Sequence, residues 1–137
     1  MTNIKFPMSN ESPNKGKKYN IYDRALEFAS RVAIFAIALP KNQASIEYGK
    51  QVIRSSAAIG ANIEEADGTL SRKDFVNRFS IGRREASETV YWLRLIERTG
   101  LTKDCDANDI ASLINESREL LLILSSIINK TRERNRI

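Results

Sequence analysis

Apolar residues recur every three or four positions over most of this chain, in four long stretches separated by short breaks. Over residues 21–39, Ala25, Leu26, Ala29, Val32, Ala33, Ala36 and Leu39 make a helical stripe opposite Asp23, Arg24, Glu27, Ser30 and Arg31. The second half, VAIFAIAL, is apolar on every side and must be covered on every side. Pro40 stops this helix, because proline lacks an amide hydrogen and clashes with the preceding turn. After a link over residues 41–44, Ser45 is the expected N-cap of a second helix reaching about Asp67. Its stripe is Ile46, Gly49, Val52, Ile53, Ser56, Ile59, Gly60 and Ile63, and its centre, SSAAIGA, is small enough for a neighbouring helix to come close. Gly60 costs about 1 kcal/mol of helix propensity, which close packing would offset.

Gly68 is a suitable terminator through positive φ, and Ser71 with Asp74 three residues on resembles a capping box. The third helix is predicted over residues 72–99, closed by Gly100. Phe75, Phe79, Gly82, Ala86, Thr89, Val90, Leu93 and Ile96 form its stripe, and the same spacing assigns Tyr91 and Trp92 mainly to the core. Beyond a loop over residues 101–105, Asp106 or Asn108 caps a fourth helix with Ile110, Leu113, Ile114, Leu121, Leu124 and Ile128 on one face. Its run LLLIL again covers every side. Four helices joined by short links predict an all-α, antiparallel four-helix bundle over residues 19–137. The all-round apolar segments exceed what one small bundle can hide, which predicts contacts between copies.

Composition narrows the chemistry. The first eighteen residues, with Pro7, Pro13, Gly16 and scattered Asn, Ser and Lys, read as a flexible basic tail. Cys105 is the single cysteine, so no disulfide closes within the chain. No apolar run approaches the roughly 20 residues of a membrane span, and no signal-peptide core is present. A cytoplasmic protein without a membrane partner is the expectation. Histidine is absent, which removes the usual catalytic triad and the Glu-x-x-His di-iron site. No phosphate-binding glycine loop is present. No cofactor and no enzyme activity are expected.

Two features remain. Glu85 and Glu88, then Glu116 and Glu119, are spaced one helical turn apart and loosely resemble the motif of all-α nucleotide pyrophosphatases. They define a magnesium-dependent nucleotide hydrolase as the last-ranked alternative. Ion pairing of Glu88 and Glu97 with Arg83, Arg84, Arg94 and Arg98 is the simpler reading of the same acids. The second feature is the basic cluster Arg72, Lys73, Arg78, Arg83 and Arg84, backed by a net charge of +5. Such a cluster meets phosphates without sequence preference, or is merely solvated.

The strings IGANIEEADG, DF at Asp74–Phe75, FSI at Phe79–Ile81 and REASETVYWLRL at Arg84–Leu95, with Gln51, Arg54 and Ser55 before them, resemble the bacterial four-helix-bundle protein family. Its members include proteins encoded within intervening sequences of large-subunit ribosomal RNA genes. The resemblance spans about Tyr22 to Leu124. It implies a left-handed bundle that assembles as a ring, a homopentamer in known members, with no established enzyme activity. It also implies likeness in fold to the basic pentameric accessory protein of diversity-generating retroelements, which binds nucleic acid and a reverse transcriptase. The expected function is therefore a non-catalytic oligomeric bundle whose partners are itself and RNA or a nucleic-acid-processing protein. Arg72, Lys73, Arg78, Arg83 and Arg84 are the candidate phosphate contacts. Arg54, Asn62, Glu65, Glu85 and Glu88 are the motif's polar positions, assigned to contacts within or between bundles. A structural ring that binds no nucleic acid is the alternative.

Overall fold

The computed structural model describes residues 20–102 and 107–134. The tail, Cys105, Asp106 and Arg136 lie outside the described residues. Four helices follow one another: α1 Ile21–Ile37, α2 Gln43–Ala66, α3 Arg72–Arg98 and α4 Ala107–Arg134. No strand occurs among the described residues. Packing joins α1 to α2, α2 to α3, α3 to α4 and α4 back to α1, with no diagonal contact. Facing residues run in opposite order on each pair. Ala25 and Ala36 face Gly60 and Gly49, and Gly82 meets both Ile63 and Leu124. Arg54 reaches Glu88 while Arg78 reaches Glu65. The chain is an antiparallel four-helix bundle.

The caps depart from expectation in two places. Asn42, not Ser45, caps α2: its side-chain Oδ1 accepts from the Ser45 amide at 2.9 Å. The asparagine satisfies an orphan amide one turn earlier, and Ser45 becomes a buried interior residue. At the end of α2, Gly68 does not adopt positive φ. The turn closes instead through backbone bonds from Asp67, Gly68 and Thr69 to the carbonyls three residues back. Among the described residues positive φ is used only by Gly100, at +74°, where its amide bonds the Glu97 carbonyl and ends α3. Ser71 caps α3 as predicted, accepting from the Asp74 amide at 3.0 Å. Asn108 lies inside the first turn of α4.

The core corrects the stripe read on α1. Ile21, Ala25, Phe28, Val32, Phe35 and Leu39 face inward, while Leu26 is 68% exposed. Facing the two phenylalanines inward buries more apolar area than facing the alanines would, at about 25 cal/mol per Å². In α2, Ile46 and Ile53 are likewise exposed, and Val52, Ser55, Ser56, Ile59 and Ile63 are buried. Phe75 and Phe79 stack at 4.5 Å between ring centroids and lie fully inside. Tyr91 does not join them: it is 56% exposed. Three buried hydroxyls bond across helices. Ser55 and Thr89 meet at 2.8 Å, and Ser117 donates to the Ala86 carbonyl at 3.0 Å.

Ile34 and Ile37 on α1, Ile46 and Ile53 on α2, and Leu122 on α4 remain exposed. Ile34, Ile37 and Leu122 belong to the all-round apolar segments, whose outer sides nothing among the described residues covers. At the α1–α2 end of this surface the Ser45 hydroxyl is buried with no hydrogen-bond partner among the described residues, beside Ala36, Ile37, Ile46 and Ile53.

Two glycines separate helix propensity from packing. A Cβ at Gly82 would come within 3.1 Å of Ile63 Cγ2 and 3.4 Å of the Ile59 carbonyl, whereas at Gly60 the nearest atom is Ala25 Cβ at 3.5 Å. The tight approach is thus at Gly82, not at Gly60 where the small-residue run suggested it. Gly60→Ala is expected to stabilise the fold by about 0.5–1 kcal/mol. Gly82→Leu is expected to destabilise it by about 1–3 kcal/mol or more, through overpacking. Urea titrations followed by circular dichroism measure both.

Tyr22 couples α1 to the end of α2, its hydroxyl donating to Asp67 at 3.5 Å. Burial first, then the charges of Asp67 and Glu64, push its ionisation well above the ordinary tyrosine range. A group raised on folding contributes stability that is complete below its unfolded pKa and is lost as pH rises toward the folded one. The wild type should therefore lose more stability than Tyr22→Phe above about pH 10. Thermal melts across that range test this, and equal losses in the two proteins would refute it.

Candidate nucleic-acid interface

Helix α3 carries most of the candidate cations, and its neighbours decide which of them remain available. Arg72 and Lys73 occupy its first turn, where the helix dipole disfavours positive charge and Asp74 only partly compensates. Their placement does not serve helix stability. Farther along, each arginine either meets an acid from a neighbouring helix or meets none.

Three arginines of the bundle are tied down along its lateral seams. Arg24 of α1 forks onto Glu116 of α4, Nε to Oε2 at 2.7 Å and Nη2 to Oε1 at 3.0 Å, with Glu119 at 3.6 Å. This bidentate pair has the geometry of a strong interaction. Arg54 of α2 lies between Glu85 and Glu88 of α3 at 3.8 and 3.4 Å, and also bonds Gln51. Arg78 of α3 returns to α2, pairing with Glu65 and donating to the Asn62 side-chain oxygen, both at 3.1 Å. The Arg54 and Arg78 pairs are solvent-exposed enough that each contributes about 0–1 kcal/mol, so their main effect is to fix the direction of the side chains. The polar motif positions Arg54, Asn62, Glu65, Glu85 and Glu88 thus all sit on the α2–α3 seam.

By contrast, no carboxylate among the described residues lies within ion-pair distance of Arg72, Lys73, Arg83, Arg84, Arg94 or Arg98. The intrahelical pairing of Arg83, Arg84, Arg94 and Arg98 with Glu88 and Glu97 does not form, because Glu88 turns to Arg54. Of the five proposed phosphate contacts, Arg78 is engaged by α2 and the other four have no acidic partner. Lys73, Arg84, Arg94 and Arg98 are exposed, and Arg72 and Arg83 are half-buried. Arg118 of α4 directly follows Ser117, the residue bonded to Ala86, and adds a further exposed cation alongside α3.

The carboxylates are not gathered into a metal site. Glu85 and Glu88 lie on the α2–α3 seam, and Glu116 and Glu119 lie on the α1–α4 seam. These seams are on different sides of the bundle, so the four-acid site of the hydrolase alternative is not assembled within one chain. No cluster of three or more potential metal ligands occurs among the described residues. A cleft of about 740 Å³ opens at the α2–α3 turn, lined by Glu64, Glu65, Asp74, Asn77 and Arg78. Its acidic rim is unsuited to phosphate. No helix among the described residues is long and apolar enough to cross a membrane.

Sequence reasoning missed one residue of this surface. Tyr91 was assigned to the core by its neighbours' spacing, yet it lies on the outward line of α3 with Lys73, Arg84 and Arg98. Its two-turn spacing from both Arg84 and Arg98 is the signal that places it there.

Comparison with known proteins agrees with the motif resemblance. Among curated proteins none matches the chain. A crystal structure of a protein of unknown function from the S23 ribosomal protein family of Bacteroides thetaiotaomicron is 40% identical. The match covers 79% of this chain and 97% of that one, with a TM-score of 0.71. The family model described as 23S rRNA-intervening sequence protein matches residues 17–123. With that match spanning the four-helix core, the chain belongs to the 23S rRNA-intervening sequence protein family.

Proposed function

We propose that this protein is a non-catalytic, self-associating helical bundle that contacts RNA, or a ribonucleoprotein, through the cationic face of α3. The observation that carries this reading is the division among its arginines. Arg24, Arg54 and Arg78 have acidic partners on lateral seams, while Arg72, Lys73, Arg83 and Arg84 have none among the described residues. Unneutralised cations side by side repel one another and weaken the fold slightly, so a polyanion that displaces their counterions is their natural complement.

Self-association is supported by the uncovered apolar surface. Leu26, Ile34 and Ile37 are each about two-thirds exposed or more, and Ile46 and Ile53 continue the patch onto α2. Ile37, Ile46 and Ile53 lie side by side, and uncovered large aliphatic side chains grouped in this way are the mark of a protein contact. The buried Ser45 hydroxyl beside it has no partner among the described residues and would gain one from a neighbouring copy. A left-handed bundle closed into a ring, as in the pentamers the motif resemblance implies, repeats the α3 face around the assembly and multiplies its field.

Two measurements test this function. Multi-angle light scattering should give a mass several times the 15.5 kDa of one chain, and Ile34→Glu with Ile37→Glu should reduce it to the monomer. A monomeric wild type would refute assembly. Nitrocellulose retention of RNA should fall steeply with salt, and reversing Arg83 and Arg84 to Glu should lower the log–log slope by about 0.7 per lost contact on a single strand. If the reversal leaves both affinity and slope unchanged, the cations are only solvated and the structural-ring alternative stands.

A further inference from the structure

The cationic face of α3 contains an aromatic ring that packing alone does not explain. Lys73, Arg84, Tyr91 and Arg98 are separated by eleven, seven and seven residues, close to whole numbers of helical turns. They therefore lie on one line along the helix, and all four are exposed. Tyr91 sits about 10 Å from the Cα positions of both Arg84 and Arg98 at 1.5 Å per residue, with Arg94 one turn away. The nearest acid on the helix is Glu88, three residues before Tyr91, and Arg54 draws it toward α2 at 3.4 Å. Tyr91 is also held in place. Its ring meets that of Trp92 edge to face at 5.2 Å, and Trp92 in turn leans on Tyr48 of α2 at 6.1 Å. A braced aromatic with more than half its surface in solvent loses little freedom when a flat partner settles on it.

We propose that this face binds single-stranded nucleic acid, with Tyr91 as the stacking platform for an unpaired base and Arg84, Arg94 and Arg98 as the flanking phosphate contacts. The inference rests on the α3 reading proposed above and narrows its ligand to a strand with accessible base faces. Phosphate contacts alone accept duplex and single strand alike, whereas an exposed ring between cations adds a term that only an unstacked base can supply. The expected ligand is thus a flexible strand bound with little sequence preference, as RNA or as DNA.

Fluorescence anisotropy on the full chain tests this with four probes of equal length: oligouridine RNA, oligothymidine DNA, an abasic oligomer with the same phosphates, and a DNA duplex. Tyr91→Leu should weaken binding of both base-bearing single strands by about five- to a hundredfold and leave the abasic oligomer unchanged. Tyr91→Phe should restore binding to within about twofold, since it keeps the ring that stacks. Trp92, the single tryptophan, should be quenched by base-bearing strands and not by the abasic one. Similar losses on the thymidine and uridine probes mark a base-face site, and a larger loss on one adds a sugar contact to it. Three results would overturn the inference: equal affinity of wild type and Tyr91→Leu for the single strands, tighter binding of the duplex, or a change of assembly mass in Tyr91→Leu. If Arg83 and Arg84 reversal abolishes binding while Tyr91→Leu does not, stacking fails and the α3 function survives. If no probe binds at low salt, both fail.

Discussion

The backbone of α3 comes close to α2 at Gly82, and much of the molecule depends on that approach. With no side chain at this position, Ile63 and the Ile59 carbonyl fit against α3, and Leu124 of α4 reaches the same point. Three helices are brought into register around a single residue. One turn further along α3, Ala86 receives the Ser117 hydroxyl, and Thr89 receives Ser55. A helix slip by even one residue would strand the Ser117 hydroxyl, at about 1–3 kcal/mol, and would leave Ser55 and Thr89 only the carbonyls of their own helices. Small residues make the seam close, and the buried hydroxyls make it specific.

That register decides the electrostatics of the surface. It sets Arg54 against Glu85 and Glu88, and Arg78 against Asn62 and Glu65. Because both acids of the α3 motif face α2, they are removed from the outward side of their own helix. The cations on that side then lack the i,i+4 partners that the sequence offers them. The mixture of acids and bases between Glu64 and Glu88 is dense in sequence but sorted in space. Acids line the α2–α3 seam and its turn, and unpaired bases line the outer face of α3.

Much of this fold was legible in the sequence because four long stretches keep helical periodicity, and because Pro40, Ser71 and Gly100 punctuate them in mechanistically plain ways. What was not legible involved choices between similar faces. In α1 every third or fourth position is apolar on two adjacent stripes, and periodicity cannot tell Ala29 and Ala33 from Phe28 and Phe35. Side-chain volume decides, since the larger residues gain more from burial. At the start of α2, Asn42 and Ser45 are both competent caps, and the choice depends on where the chain leaves Pro40. The ion pairs of Arg24 and Arg54 join residues far apart in sequence, so only the tertiary register reveals them. Tyr91 differs from its reading for a related reason: it lies two residues from the core residue Leu93 and beside the half-buried Trp92, and an aromatic at helical spacing reads as core until the neighbouring helices are in place.

The partition between paired and unpaired arginines also bears on how assembly and binding could coexist. The exposed isoleucines lie on α1 and α2, and the cations proposed to meet phosphate lie on α3. The two proposed properties therefore rest on different helices. Burying the α1–α2 face against a neighbour need not cover the outer line of α3, and it would bring no acid from that line's own helix to neutralise it. Apolar contact gains little from charge and is weakly screened by salt, whereas counterion release is strongly salt-dependent. Raising the ionic strength should consequently separate the two properties, releasing nucleic acid from an assembly that remains intact. A single face responsible for both would lose them together, which makes their separation by salt a direct consequence of how this bundle distributes its apolar and charged residues.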